Sequence, residues 1–145
     1  MTELNIILPL FFRIMLAGVL GAMIGAERDI SHKNAGLRTS SLIAIGSCLF
    51  TILSIESTVN GDNFRIAAQI VSGVGFIGAG VMFKSEHAVR GLTTATEIWL
   101  VAAIGMAVGM GFELLAFMVT IFAIAIIVLL KPLSSFLETL GKNEE

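Results

Sequence analysis

Between Ile98 and Leu130 the chain carries a single charged residue, Glu113. As one helix that stretch would be about 50 Å long at ~1.5 Å per residue, well beyond the ~30 Å of hydrocarbon in a bilayer. It therefore has to turn, and Gly109-Met110-Gly111 is where it can. Lipid is the solvent that suits such a run, and the composition of the rest agrees. Of 145 residues, 56% are hydrophobic and 14% charged, with a mean hydropathy of +0.94. A water-soluble domain of this size needs a polar coat that nine Lys/Arg and eleven Asp/Glu residues, crowded into short stretches, cannot supply.

In hydrocarbon a helix satisfies its own backbone, so about 20 mostly apolar residues predict each crossing. Five segments qualify, at roughly 4–26, 39–56, 65–83, 92–111 and 113–130, and the expected fold is an all-α membrane protein with five transmembrane helices. Arg28, Lys33 and Arg38 lie between spans one and two, Lys84 and Arg90 between three and four, and Lys131 and Lys142 after five; the other side has Arg65. Positive charge is retained in cytoplasmic loops, which predicts the amino terminus outside and the carboxy terminus in the cytoplasm. Pro132 is expected to close the last span, leaving 1–131 as a transmembrane domain and 132–145 as a short cytoplasmic tail. No basic stretch precedes the first apolar run, which argues against a cleaved signal peptide. A net charge of -2 and a pI near 5.7 offer no basic face for nucleic acid, and lone Cys48 excludes an intrachain disulfide framework.

A shift of 55 residues aligns Gly18, Val19, Gly25 and His32 with Gly73, Val74, Gly80 and His87, and then Gly36, Leu37, Thr39 and Ile43 with Gly91, Leu92, Thr94 and Ile98. Each copy reads as a glycine-rich helix, a cytoplasmic loop with His, Gly-Leu-x-Thr, and a second helix. Two parallel helical hairpins plus a peripheral fifth helix follow. Helices in lipid associate where small residues let backbones approach. Gly21 and Gly25, Gly73, Gly75, Gly78 and Gly80, and Gly105 and Gly109 are therefore expected at the bundle centre. Gly105-x-x-x-Gly109 is also a candidate surface for a homo-oligomer, whereas glycine-free 114–130 suits a helix facing lipid or a partner.

Gly73 to Gly78 matches GxGxxG, with Glu97 in the place of a ribose-binding acid. The motif needs a preceding strand and an aqueous turn, so within an apolar span it reads as helix packing. Arg13 and Glu97 are the costly intramembrane charges, at about 2.5–3.5 kcal/mol each on insertion scales, and each is expected to reach water or a partner. Both Gly-Leu-x-Thr segments open helices at the basic face, where free N–H groups favour an anion. The candidate functional cluster is Glu27, Arg28, Arg38, Thr39, Arg90, Thr93, Thr94 and Glu97, with the acids orienting the arginines; the competing reading is that the arginines only anchor topology. Glu3, Glu56, Asp62 and Glu113 belong to separate outer loops. No nucleophile–base pair, metal-ligand cluster or cofactor motif is evident, so no enzyme activity, metal or cofactor is expected.

Four linked motifs carry a resemblance: Ile24-Gly25-Ala26-Glu27-Arg28, Ala35-Gly36-Leu37-Arg38-Thr39, GVGFIGAG over Gly73 to Gly80, and Arg90-Gly91-Leu92-Thr93-Thr94 followed by Trp99. Spread over most of residues 10–131, they resemble the MgtC/SapB family of bacterial inner-membrane proteins, in a short form without the carboxy-terminal cytoplasmic domain. The resemblance implies a multi-pass inner-membrane protein associated with magnesium limitation and, in some members, with survival inside host cells and restraint of the ATP synthase. Two departures stand out. Asp62-Asn63-Phe64-Arg65 replaces the family's Asp-Pro-x-Arg, and Gly78 and Thr93 stand where virulence-type members carry Cys and Asn. The favoured function is a non-enzymatic membrane regulator that binds other membrane proteins in magnesium or ion homeostasis. The alternative is a transporter or channel, with Gln69, Arg13, Ser47, Thr51 and Glu97 as its candidate polar residues. Expected partners are the lipid bilayer, further copies of the chain and other membrane proteins.

Overall fold

The computed structural model describes residues 3–57, 65–84 and 89–141. It is all-α: α1 (Leu4–Ile30), α2 (Leu37–Glu56), α3 (Arg65–Gly80), α4 (Leu92–Gly109) and α5 (Glu113–Gly141). The exception is a pair of two-residue strands between α3 and α4, β1 (Phe83–Lys84) antiparallel to β2 (Val89–Arg90). Helices α1, α2, α4 and the Glu113–Pro132 part of α5 are long and apolar enough to cross a bilayer. Helix α3 has 16 residues, about 24 Å of rise, and ends at Gly80 rather than near residue 83. The expected stop at Pro132 also shifts, because α5 continues through it to Gly141. Proline removes one N–H from the ladder, and here the helix absorbs that loss.

Register follows from which residues meet. Gly25 of α1 lies against Gly36 and Leu37, and Gly21 against Ser40 and Ala44, so α1 and α2 run antiparallel. Gly105 of α4 faces Ala44 and Gly109 faces Cys48 and Thr51, so α2 and α4 run parallel. That is the arrangement a parallel repeat of hairpins requires. Helix α4 is the centre, packing on α1, α2, α3 and α5. Its fully buried Val101, Ile104 and Val108 fill the space with Leu20 and Ile24 of α1, while Ile98 packs with Ala67, Ile70 and Val74 of α3. Helix α5 buries only Ala116, Thr120 and Ala123 among its described side chains, spaced i, i+4 and i+7, which makes it the peripheral helix.

The glycines divide sharply. A Cβ on Gly21 would sit 2.6 Å from the Ser40 carbonyl oxygen and one on Gly109 would sit 2.8 Å from that of Cys48; Gly25 and Gly105 are equally tight against α2 backbone. Gly105 and Gly109 are thus internal to the protomer, which corrects their assignment to an oligomer surface. Gly78 packs on Ala95, but Gly73, Gly75 and Gly80 have no atom within 4 Å of an added Cβ, so they are not at the bundle centre. The reason is the stripe α3 uses: Ala67, Ile70, Val74 and Gly78 lie on one face against Ile98 and Ala102, and the other glycines fall on the far side.

Candidate functional site

The end of the bundle where α1 gives way to α2 holds a buried ionic cluster built from three helices. Arg28 and Glu97 are only 4% and 3% exposed. Arg28 Nε donates to Glu27 Oε2 at 2.6 Å, and its Nη2 pairs with the same oxygen. Ser31 Oγ donates to Glu27 Oε1 at 2.6 Å. Ser40 Oγ divides its one proton between the Ala35 carbonyl oxygen at 3.1 Å and Glu97 Oε1 at 3.3 Å. Glu97 Oε2 lies 3.8 Å from Arg28 Nε and accepts no hydrogen bond. One guanidinium therefore serves two carboxylates, tying α1 to α4 while Ser40 brings in α2. A buried ion pair is weak evidence for net stability, but deleting one member leaves uncompensated charge.

Beside the cluster is a cavity of about 620 Å³ between the α1–α2 loop, the start of α4 and α5. Arg28, His32, Lys33 and Asn34 line it from the α1 side, Gly91, Thr93 and Thr94 from α4, and Lys131 with Ile126, Ile127 and Leu130 from α5. Lys131 Nζ donates to Ser31 Oγ at 2.8 Å, which holds α5 over the loop.

The expected cluster is thus brought together only in part. Glu27, Arg28 and Glu97 meet, with Thr93 and Thr94 nearby. Arg38 and Arg90 are exposed, line neither cavity, and form no ion pair among the described residues. The acids therefore orient Arg28 and not all three arginines. Thr39 belongs to a second cavity. Lys33 and Lys131 were legible only as topology charges, because nothing local signals that α5 returns beside the first loop; Ser31 and Ser40 carried no motif. His87, Lys142 and residues 62–64 lie outside the described residues.

The first Gly-Leu-x-Thr segment is not open to an outside anion. Asp29 Oδ2 accepts the Leu37 N–H at 2.9 Å, so the end of α1 caps the start of α2. At the opposite end of the bundle Arg13 Nε donates to Glu113 Oε1 at 2.8 Å, both half-exposed. This gives Arg13 its partner and removes Glu113 from the set of separate loop acids. Among the described residues no group of three or more His, Cys, Asp or Glu side chains is placed to hold a metal.

The second cavity is a side groove of about 610 Å³ between α2 and α3. Large apolar side chains such as Leu42, Phe50, Ile66 and Ile77 line it, Gly46 and Gly73 widen it, and Thr39, Ser47 and Gln69 supply its polar groups.

Against known proteins, a model described as the MgtC family matches residues 14–136. Protein MgtC of Brucella abortus (strain 2308) is 49% identical over 127 residues, covering 85% of this chain and 52% of the relative. Protein MgtC of Salmonella typhimurium (strain LT2) is 47% identical over 111 residues, covering 77% and 48%. An uncharacterized protein of Haemophilus influenzae is 41% identical over 136 residues, covering 87% and 57%. The chain spans about half the length of the curated relatives it matches. No solved structure matches it.

Proposed function

The chain belongs to the MgtC family of membrane proteins, and from that premise we propose that it is a non-enzymatic regulator in magnesium or ion homeostasis that works through helix contacts with membrane partners. The observation that carries this reading is the outer face of α3. Ala68, Ser72, Gly75 and Ala79 are exposed at i, i+4, i+7 and i+11, beside the open Gly73 and the α2–α3 groove. In hydrocarbon, a continuous small-residue face permits close approach by another helix, and the exposed Gln69 amide gains a partner by such contact. A helix of about 24 Å is also shorter than the bilayer core, a mismatch that association relieves. A second copy of the chain and other membrane proteins are the partners proposed for this face.

The transporter alternative draws less support. Of its five candidate residues, Ser47 and Gln69 line the α2–α3 groove, Arg13 pairs at one end and Glu97 at the other, and Thr51 Oγ1 bonds the Ser47 carbonyl of its own helix at 2.8 Å. No described cavity joins them. Liposomes containing only this protein should show no saturable flux of magnesium or small solutes; saturable flux lost in Glu97→Gln would reverse the ranking. We further propose a bacterial inner-membrane location with the basic end in the cytoplasm. Asn34→Cys should then resist a membrane-impermeant thiol reagent in intact cells, and labelling there would invert the topology.

A further inference from the structure

Three polar side chains line the α2–α3 groove, and one of them lies at its floor. Thr39 and Gln69 are exposed, whereas Ser47 is only 4% exposed and its hydroxyl makes no hydrogen bond among the described residues. The other hydroxyls buried in α2 behave differently. Thr51 Oγ1 bonds the Ser47 carbonyl oxygen at 2.8 Å, Ser40 Oγ is shared between two acceptors, and Ser54 Oγ accepts the Ala67 N–H at 3.3 Å. A polar group left unpaired in an apolar setting is costly, and this one opens on a cavity. Around it the groove is a slot: Gly46 of α2 and Gly73 of α3 line it with no atom within 4 Å of an added Cβ, and no charged side chain contributes to its described lining. The Ala67–Ser54 bond pins α3 to α2 at one end, so the slot is held between two fixed helices.

We propose that this groove binds an uncharged, flat, carbonyl-bearing molecule dissolved in the bilayer, of the isoprenoid quinone type, with the Ser47 hydroxyl donating to its carbonyl oxygen. Depth selects the class. Ser47 stands ten residues from the start of α2, about 15 Å at ~1.5 Å per residue, which is the middle of a hydrocarbon layer ~30 Å thick. Phospholipid esters and headgroups stay at the edge of that layer, so a phospholipid brings only acyl chain to this level. A charged ligand finds no counter-charge in the lining. A partner helix satisfies its own backbone, and on approach it meets Leu42, Phe50 and Ile77, exposed by 67%, 53% and 43%, before it reaches the floor. A planar ring with an acceptor fits between the two glycines, beside the Phe50 ring, and its apolar tail runs out into lipid. A cavity of about 610 Å³ with mostly apolar walls and a few polar groups has the size and character of a small-molecule site. The proposal draws on Ser47 and not on the outer face of α3, so it stands or falls independently of the partner reading.

The test is photoaffinity labelling of the full chain in phosphatidylcholine nanodiscs with an azido-benzoquinone carrying a decyl tail, the adducts being mapped by peptide mass spectrometry. Labelling should saturate and fall on α2 and α3 beside Ser47. The azide-free decyl-benzoquinone should displace it, and an equal excess of decylbenzene, which has an apolar body of similar shape and no carbonyl, should not. Ser47→Ala should raise the apparent Kd about fivefold, the worth of one ordinary hydrogen bond. Gly73→Leu, which places a side chain in the slot, should abolish saturable labelling, and Ser72→Ala, on α3 but outside the groove, should change the Kd less than about twofold. If Gly73→Leu does not fold, Ser47→Ala, which removes a single oxygen atom, carries the test. Equal displacement by decylbenzene would give the groove to acyl chains, and loss of crosslinking between copies in Ser47→Ala would give it to a partner helix. Either result, or an unchanged Kd in Ser47→Ala, would overturn the proposal.

Discussion

In the α1–α2 hairpin a Cβ on Gly21 or Gly25 would strike the backbone of α2; in the α3–α4 hairpin Gly73, Gly75 and Gly80 face open space. The first hairpin closes its loop with Asp29 on the Leu37 N–H, whereas the second leaves the start of α4 at a basic cavity. One repeated sequence pattern thus yields an internal part and an exposed part. The difference lies in what surrounds them. Helix α1 packs on α2, α4 and α5, while among the described residues the main contacts of α3 are with α2 and α4, so its outward Gly73, Gly75 and Gly80 keep the property that glycine brings to lipid without a close neighbour to use it. The motif sets helix register in both copies, and position in the bundle decides whether the small residues are consumed by the fold or left for a partner.

The comparison can be broken most forcefully at the arginines. Arg28→Met should destabilise the fold by about 3–5 kcal/mol, because Glu27 and Glu97 would lose the one guanidinium between them. Arg90→Met, exposed in the second loop, should stay within about 0.5 kcal/mol. Denaturant titration in detergent reads both, and similar losses would mean that the second copy is as closed as the first. A smaller effect is expected at the cap: Asp29→Ala should cost about 1 kcal/mol by freeing the Leu37 N–H, with Asp29→Asn retaining much of it. An unchanged midpoint for Asp29→Ala would show that the first loop is not held this way.

Much of this fold could be read from the sequence because lipid imposes a simple rule on length and polarity. The run without charge from Ile98 to Leu130, broken by Glu113, placed α4, the turn at Gly111 and α5, and the offset repeat gave the parallel course of α2 and α4. Gly73, Gly75 and Gly80 of α3 were misplaced, and Gly78 was not, because GVGFIGAG looks alike from every side; only the stripe Ala67, Ile70, Val74 and Gly78 reveals which face packs. At the candidate site, charge in the spans singled out Glu97 and Arg13, and the structure pairs Arg13 with Glu113 and sets Glu97 beside Arg28. Their partners were a matter of tertiary placement: Arg13 and Glu113 are 100 positions apart, as are Ser31 and Lys131. Arg38 and Arg90 were drawn in by proximity to a motif, yet short sequence separation does not fix the side of a loop on which a side chain lies.

The central claim is that the α1 glycines Gly21 and Gly25 hold the protomer together and the outward α3 glycines Gly73, Gly75 and Gly80 are left for a partner. The most direct measurement pairs Gly21→Leu with Gly75→Leu and follows both unfolding and in-membrane crosslinking between copies. The account predicts that Gly21→Leu loses about 1–3 kcal/mol or more of stability through overpacking against α2. Gly75→Leu should unfold at the parent's midpoint and lose crosslinked dimer. If Gly75→Leu instead destabilises the protomer as much as Gly21→Leu does, or leaves crosslinking intact, the division between a closed and an open hairpin is contradicted.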